Sequence, residues 1–210
     1  MNNLNSKMTK KMIGAFTAII VVAAAIIGVY FMMNGQSQKQ DEGEEILPTT
    51  EVGKILAKDL ELKYPETPTE VLKLYWRINT CMYGEGVSDE NFEKLLKQLR
   101  MLYDDELLAE KDNSYETMLK NFKKDRENYL DNNMKIVTNV VQKNDTIVVK
   151  DLDGTDCALV ITATLVKAKS KTTSTYEKFM CRRDSSGKWK ILGWQQTTAD
   201  EAQEVGVKIK

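Results

Sequence analysis

The residues able to do chemistry are few, and their types exclude more than they allow. The 210-residue chain contains no histidine. That removes Ser-His-Asp and Cys-His catalysis, histidine metal sites and the side chain that ordinarily titrates near neutral pH. The three cysteines, Cys81, Cys157 and Cys181, are far apart and form no CxxC. A zinc site would have to be built from thiols and carboxylates alone. Asp, Glu, Tyr and Arg are the chemistry that remains. No cofactor is expected, and no catalytic or metal-binding residue can be named.

Two acidic groupings come closest to a motif. Asp151-Leu152-Asp153-Gly154-Thr155-Asp156 suggests a calcium loop. If Gly154 held the sixth position of such a loop, the first would be Val149 and the twelfth Val160, neither of which supplies a carboxylate ligand. Asp-Gly between two β-branched runs is instead a hairpin signal. Asp104-Asp105-Glu106 sets three carboxylates side by side, as acid–base work in a cleft would need. Their place after one helix and before Leu107-Leu108 suits the N-terminus of a short helical turn, where negative charge is stabilised.

A third grouping is aromatic. Tyr75, Trp76, Arg77, Phe179, Trp189 and Trp194 are candidates to line a ligand pocket inside a curled sheet. Large aromatics also simply fill cores, which is the plainer reading. Cys157 and Cys181 fall in strands expected to be neighbours. Outside the cytoplasm they could form a disulfide, but the geometry is demanding, and buried free thiols are the preferred expectation.

The elements that must position these residues can be read from periodicity and caps. A short helix is expected over 52–62. Thr67, Pro68 and Glu70 open the next with a capping box, and it runs to about Tyr83. Its apolar positions leave only Lys73, Arg77 and Thr80 for a polar face, so it should lie centrally. Ser88 caps a helix over 89–103, a short helical piece follows, and Ser114 caps a further helix. From Met134 β-branched residues dominate, with strands expected at 135–143, 146–151, 155–168, 174–183 and 188–196. Short turns make these an antiparallel meander. Helices first and strands second give an α+β class: three to four helices packed on one face of a curved sheet of four to five strands.

The N-terminal region reads differently. Met12 to Met33 is 22 residues without a charge, about 33 Å as a helix against a hydrocarbon core of about 30 Å. Lys7, Lys10 and Lys11 precede it, and acids dominate the polar stretch from Asn34 to Thr50. Positive charge stays in the cytoplasm, so the rest of the chain should lie outside the cell membrane. The expected organisation is a cytoplasmic basic segment 1–11, a transmembrane helix 12–33, a flexible acidic tether 34–50, an extracytoplasmic α+β domain 51–197 and a tail 198–210. A cleaved signal peptide is the rival, with Ala23-Ala24-Ala25 as its cleavage site, but eight apolar or small residues follow those alanines. No cysteine follows the segment closely, which excludes a lipoprotein.

The residues 64–71 (YPETPTEV) running into Lys73-Leu74-Tyr75, then 102–108 (LYDDELL) and 189–194 (WKILGW), resemble an uncharacterised family of small membrane-anchored proteins from anaerobic Gram-positive bacteria. That resemblance would cover about 50–196 and implies no catalytic residue. The helix-then-meander layout is similar to the nuclear-transport-factor-2-like, cystatin-like cone superfamily, which hosts both enzymes and binding modules. Such domains usually carry a strand between their first helices, and none is evident here.

Beyond the first 33 residues the chain holds 27 basic and 31 acidic side chains, which gives no electrostatic reason to bind nucleic acid. The leading expectation is a membrane-tethered extracytoplasmic binding or assembly module without catalysis. Its partners would be lipid, through residues 12–33, and an envelope protein. The alternative is a cone that binds a small ligand or works as an enzyme with Asp, Glu, Tyr and Arg.

Overall fold

The computed structural model describes residues 50–209. The chain runs through five helices, five strands and a final helix: α1 (Glu51–Leu56), α2 (Pro68–Met82), α3 (Asp89–Arg100), α4 (Asp105–Ala109), α5 (Tyr115–Asp131), β1 (Met134–Val141), β2 (Val149–Leu152), β3 (Thr155–Ala168), β4 (Lys171–Arg183), β5 (Trp189–Gln196) and α6 (Ala199–Glu204).

The caps act where their sequence placed them. The hydroxyls of Thr67, Ser88 and Ser114 accept the N–H groups of Glu70, Asn91 and Thr117 at 3.2–3.3 Å. The Glu70 carboxylate reaches back one residue further than expected, to the Glu66 N–H at 3.0 Å rather than to Thr67. Helix α2 is the central helix. Val71, Leu72, Leu74, Tyr75, Trp76, Ile78, Asn79 and Met82 are all buried, because α3 covers one side and the sheet the other.

The sheet is antiparallel throughout, in the order β1-β3-β4-β5. Strand β3 is long enough to pair with two partners in succession. β1 lies along 162–168 and β2 along 155–158. The Gln142 amide stitches the break between them, accepting the Ile161 N–H at 2.9 Å and donating to the Thr146 carbonyl at 3.0 Å. Side chains of β3 alternate between two separate clusters. Ala158 and Val160 join the main core beneath the helices, while Ile161 and Ala163 pack on the opposite face with Ala202 and Val207.

These findings correct the expected fold class in three respects. Among the described residues there are six α-helices, not three to four, because short capped pieces such as α4 and α6 each form a separate turn. The strands are not a simple meander, since β1 and β2 share β3 instead of pairing with each other. No helix among the described residues is long and apolar enough to cross a membrane. The segment 12–33, which carried that expectation, and 34–49 of the tether lie outside the described residues. The stretch after Thr197, ambiguous in sequence, is the Thr198-capped helix α6 followed by buried Val207, both packed on the outer face of the sheet.

Candidate functional site

The inner face of β4 reads Cys181, Phe179, Glu177 from the sealed end of the core outward. Cys181 and Phe179 are fully buried, and Glu177 retains part of its surface. In register beside them on β3 stand Ala158, Val160 and Thr162, and on β5 Trp194 pairs with Phe179 and Gln196 with Glu177. The face therefore turns from apolar to polar at Glu177.

Helix α2 brings Tyr75 and Trp76 down onto this face. Tyr75 is a hub: its ring lies 5.2 Å from Trp76, 5.2 Å from Phe179, 6.1 Å from Trp194 and 6.4 Å from Tyr103. Phe179 and Trp194 stack at 5.6 Å, and Tyr103 lies 6.0 Å from Trp194. Tyr103 is held there because the chain after α3 joins the sheet edge, with Asp104 N–H donating to the Ile191 carbonyl and Ile191 N–H to that of Leu102.

Four of the six residues expected to line a pocket thus come together: Tyr75, Trp76, Phe179 and Trp194. The other two do not. Arg77 is a partly exposed residue paired with Glu51 at 2.6 Å. Trp189 sits two turns of the pleat away, under the Arg183 guanidinium, with its carbonyl accepting the Tyr64 hydroxyl at 2.8 Å.

What separates this cluster from an ordinary core is its unsatisfied polarity. Glu177 Oε2, Thr162 Oγ1, the Tyr103 hydroxyl and Trp76 Nε1 are all shielded from solvent and have no hydrogen-bond partner. Buried polar groups are ordinarily paired, and each orphan costs about 1–3 kcal/mol. Burial alone pushes the Glu177 carboxyl up to about 7. It also drives the Tyr75 and Tyr103 hydroxyls well above their ordinary range, and the negative charge of Glu177 adds to this in both. Tyr75 and Tyr103 influence each other's ionisation, yet the Tyr103 oxygen lacks a partner in hydrogen-bond geometry. Further along the same face Tyr129, pushed up to about 12, stacks on Tyr83 at 4.5 Å and feels Glu177 as well.

Glu177, Tyr103 and Thr162 did not stand out in the sequence. The signal was nonetheless there for Glu177. It shares strand parity with Phe179 and Cys181, so the alternation that buries those two turns a carboxylate inward.

The other acidic groupings have structural roles. Asp104 caps α4 by accepting the Glu106 N–H at 2.9 Å, and it takes Arg182 through Nε at 3.1 Å and Nη2 at 2.5 Å. They border a shallow open groove of about 240 Å³ that also meets Lys190 and Asp184. Asp151 accepts the Gly154 N–H at 2.8 Å, and Asp153 and Gly154 both take positive φ in a two-residue hairpin turn. Among the described residues, no group of three or more Cys, Asp and Glu side chains is placed to hold a metal ion. The three thiols are free. Cys181 faces Ala158 on the inner side and Cys157 is opposite Arg182, so alternation points the two to opposite faces.

The chain belongs to a family described as Domain of unknown function (DUF6715), whose sequence profile matches residues 1–194. No curated protein and no solved structure matches it.

Proposed function

Within that family, we propose that this chain is a non-catalytic binding module that takes a small polar ligand on the inner face of its sheet. One observation carries this reading. Four shielded hydrogen-bonding atoms, on Glu177, Thr162, Tyr103 and Trp76, are left without partners around a single cluster of rings. A ligand offering donors to the carboxylate and acceptors to the indole would relieve all four costs at once. The layout of helices over a curved antiparallel sheet supports a kinship with the nuclear-transport-factor-2-like cone. Tethering at the outer surface of a cell membrane completes the proposal. Its support is the uncharged segment 12–33, preceded by three lysines and followed by acids.

A second reading has its own observation. A carboxyl shifted to about 7 is poised for general acid–base work. Against it weighs the company Glu177 keeps. The surrounding hydroxyls stay protonated far above neutrality and can only donate or accept hydrogen bonds.

The test is a thermal-shift screen of small polar compounds against the full-length chain and a Trp194→Ala variant. The expected result is a compound class that raises the Tm of the parent and not of the variant. Absence of any such class would contradict a ligand site. Turnover that vanishes in Glu177→Gln would replace binding with catalysis.

A further inference from the structure

We propose that the ligand is an organic cation, an amine or quaternary ammonium head group, seated between the Glu177 carboxylate and the face of Trp194, with Tyr75 and Tyr103 behind it. The inference rests on the binding reading above and names its ligand class.

The first ground is charge. Among the described residues, none of the ion pairs includes Glu177. Its chain neighbour Lys178 points to the opposite face and pairs with Glu201 at 2.5 Å. Arg100 is the cation that acts on Tyr103, but it is spent on the Asn113 carbonyl at 2.6 Å and on Met118 Sδ at 2.8 Å. The groups turned toward Glu177 from neighbouring elements are Tyr75 on α2, Tyr103 before α4 and Tyr129 on α5. Asp125 on α5 lies beyond them, facing Tyr83 and Tyr129. The site thus presents shielded negative charge with no counter-ion. An anion would be repelled, and a neutral ligand would leave the carboxylate uncompensated in a poorly solvated place.

The second ground is the wall. Aromatic faces carry negative quadrupole potential and attract cations within about 6 Å of the ring centroid. Here Trp194 is the diagonal neighbour of Glu177 on the inner face, and both keep contact with solvent, while Tyr75 and Tyr103 are buried behind Trp194 with ring centroids 6.1 and 6.0 Å from it. A head group set along the partly exposed indole would place its positive charge against the carboxylate, and an amine would also donate the hydrogen bond that Glu177 Oε2 lacks. Because a cation binds the ionised carboxylate, binding releases a proton below neutrality and strengthens as the pH rises through about 7.

The experiment titrates the full-length chain with choline and with its uncharged carbon isostere, 3,3-dimethyl-1-butanol, following tryptophan emission at about pH 6 and about pH 8. Choline should bind at least about tenfold more tightly than the isostere at the higher pH, and about tenfold more tightly there than at the lower. Glu177→Gln should weaken choline about tenfold or more and flatten its pH dependence, leaving the isostere unchanged. Trp194→Leu, which keeps the charge, should also weaken choline. Equal binding of choline and isostere would overturn the cation inference while leaving the ligand site in place. So would a choline response that Glu177→Gln leaves intact. No response to choline at any pH would overturn it as well, with the site itself then judged by the compound screen.

Discussion

Glu177 and Thr162 stand directly opposite each other on β4 and β3, on the inner face, and neither Glu177 Oε2 nor Thr162 Oγ1 has a hydrogen-bond partner. Two complementary groups are thus held side by side by strand register yet left unpaired. A carboxylate there weakens the fold, and that cost can be measured.

Glu177→Gln should therefore stabilise the protein at alkaline pH. The folded carboxyl is raised from 4.5 to about 7, so the folded state holds a proton that the unfolded state loses between those values. Stability falls as the pH rises from about 4.5 through about 7, by on the order of 3 kcal/mol. Glutamine does not ionise and escapes this loss. Urea midpoints of parent and variant should coincide near pH 4 and diverge in favour of the variant by about pH 8. Divergence of the opposite sign would mean that a hidden cation stabilises the carboxylate.

Two tyrosine hydroxyls should respond oppositely to deletion. The Tyr64 hydroxyl donates to the Trp189 carbonyl at 2.8 Å, so Tyr64→Phe should cost about 1 kcal/mol. The Tyr103 hydroxyl is shielded and unpartnered, so Tyr103→Phe should be neutral or stabilising by up to about 1 kcal/mol. Chemical denaturation of both variants decides it, and a large loss in Tyr103→Phe would mean that the hydroxyl is satisfied.

Asp104 and Arg182 should behave as a coupled pair. Asp104 is almost fully buried, caps α4 and holds Arg182 through two nitrogens. Asp104→Ala and Arg182→Met should each cost about 2–4 kcal/mol, the first by losing cap and pair, the second by stranding a buried charge. Their double variant should cost at least about 1 kcal/mol less than the sum. Simple additivity would show that the contact contributes nothing specific.

All three cysteines should be recovered as thiols. Burial raises Cys81 to about 11 and pushes Cys181 higher still, so both should alkylate slowly in the folded protein. Denatured without reductant, the chain should take up three alkyl groups by mass. Uptake of only one would mean a disulfide between two of the three, and strand alternation opposes the Cys157–Cys181 pairing.

The sequence made the elements legible wherever a local rule was strong. Thr67, Ser88 and Ser114 marked helix starts, and Asp153-Gly154 marked a hairpin. Helical spacing placed Tyr75 and Trp76 on the central helix. What it could not supply was set by distance along the chain. That β3 would pair with both β1 and β2 depends on its 14-residue length relative to theirs and on Gln142 filling the break. That Tyr103 would meet Trp194 depends on the chain after α3 joining the edge of β5. Arg77 and Trp189 were grouped with the aromatics by type and proximity in sequence. Arg77 turned instead to Glu51, because neighbours one residue apart on a helix face different ways, while Trp189 is buried in the same core but pairs with Arg183, further along β5 from the Phe179–Trp194 pair.

The claim that the inner face at Glu177 is a ligand site is tested most directly by the three indole N–H resonances of the ¹⁵N-labelled full-length chain during a titration with choline. The account predicts that Trp76, whose N–H is unpartnered, and Trp194, which borders Glu177, shift together and saturate, while Trp189 stays in place. Saturable movement of Trp189 with Trp76 and Trp194 unmoved, or no movement at any of the three with choline and the screened polar compounds alike, would contradict it.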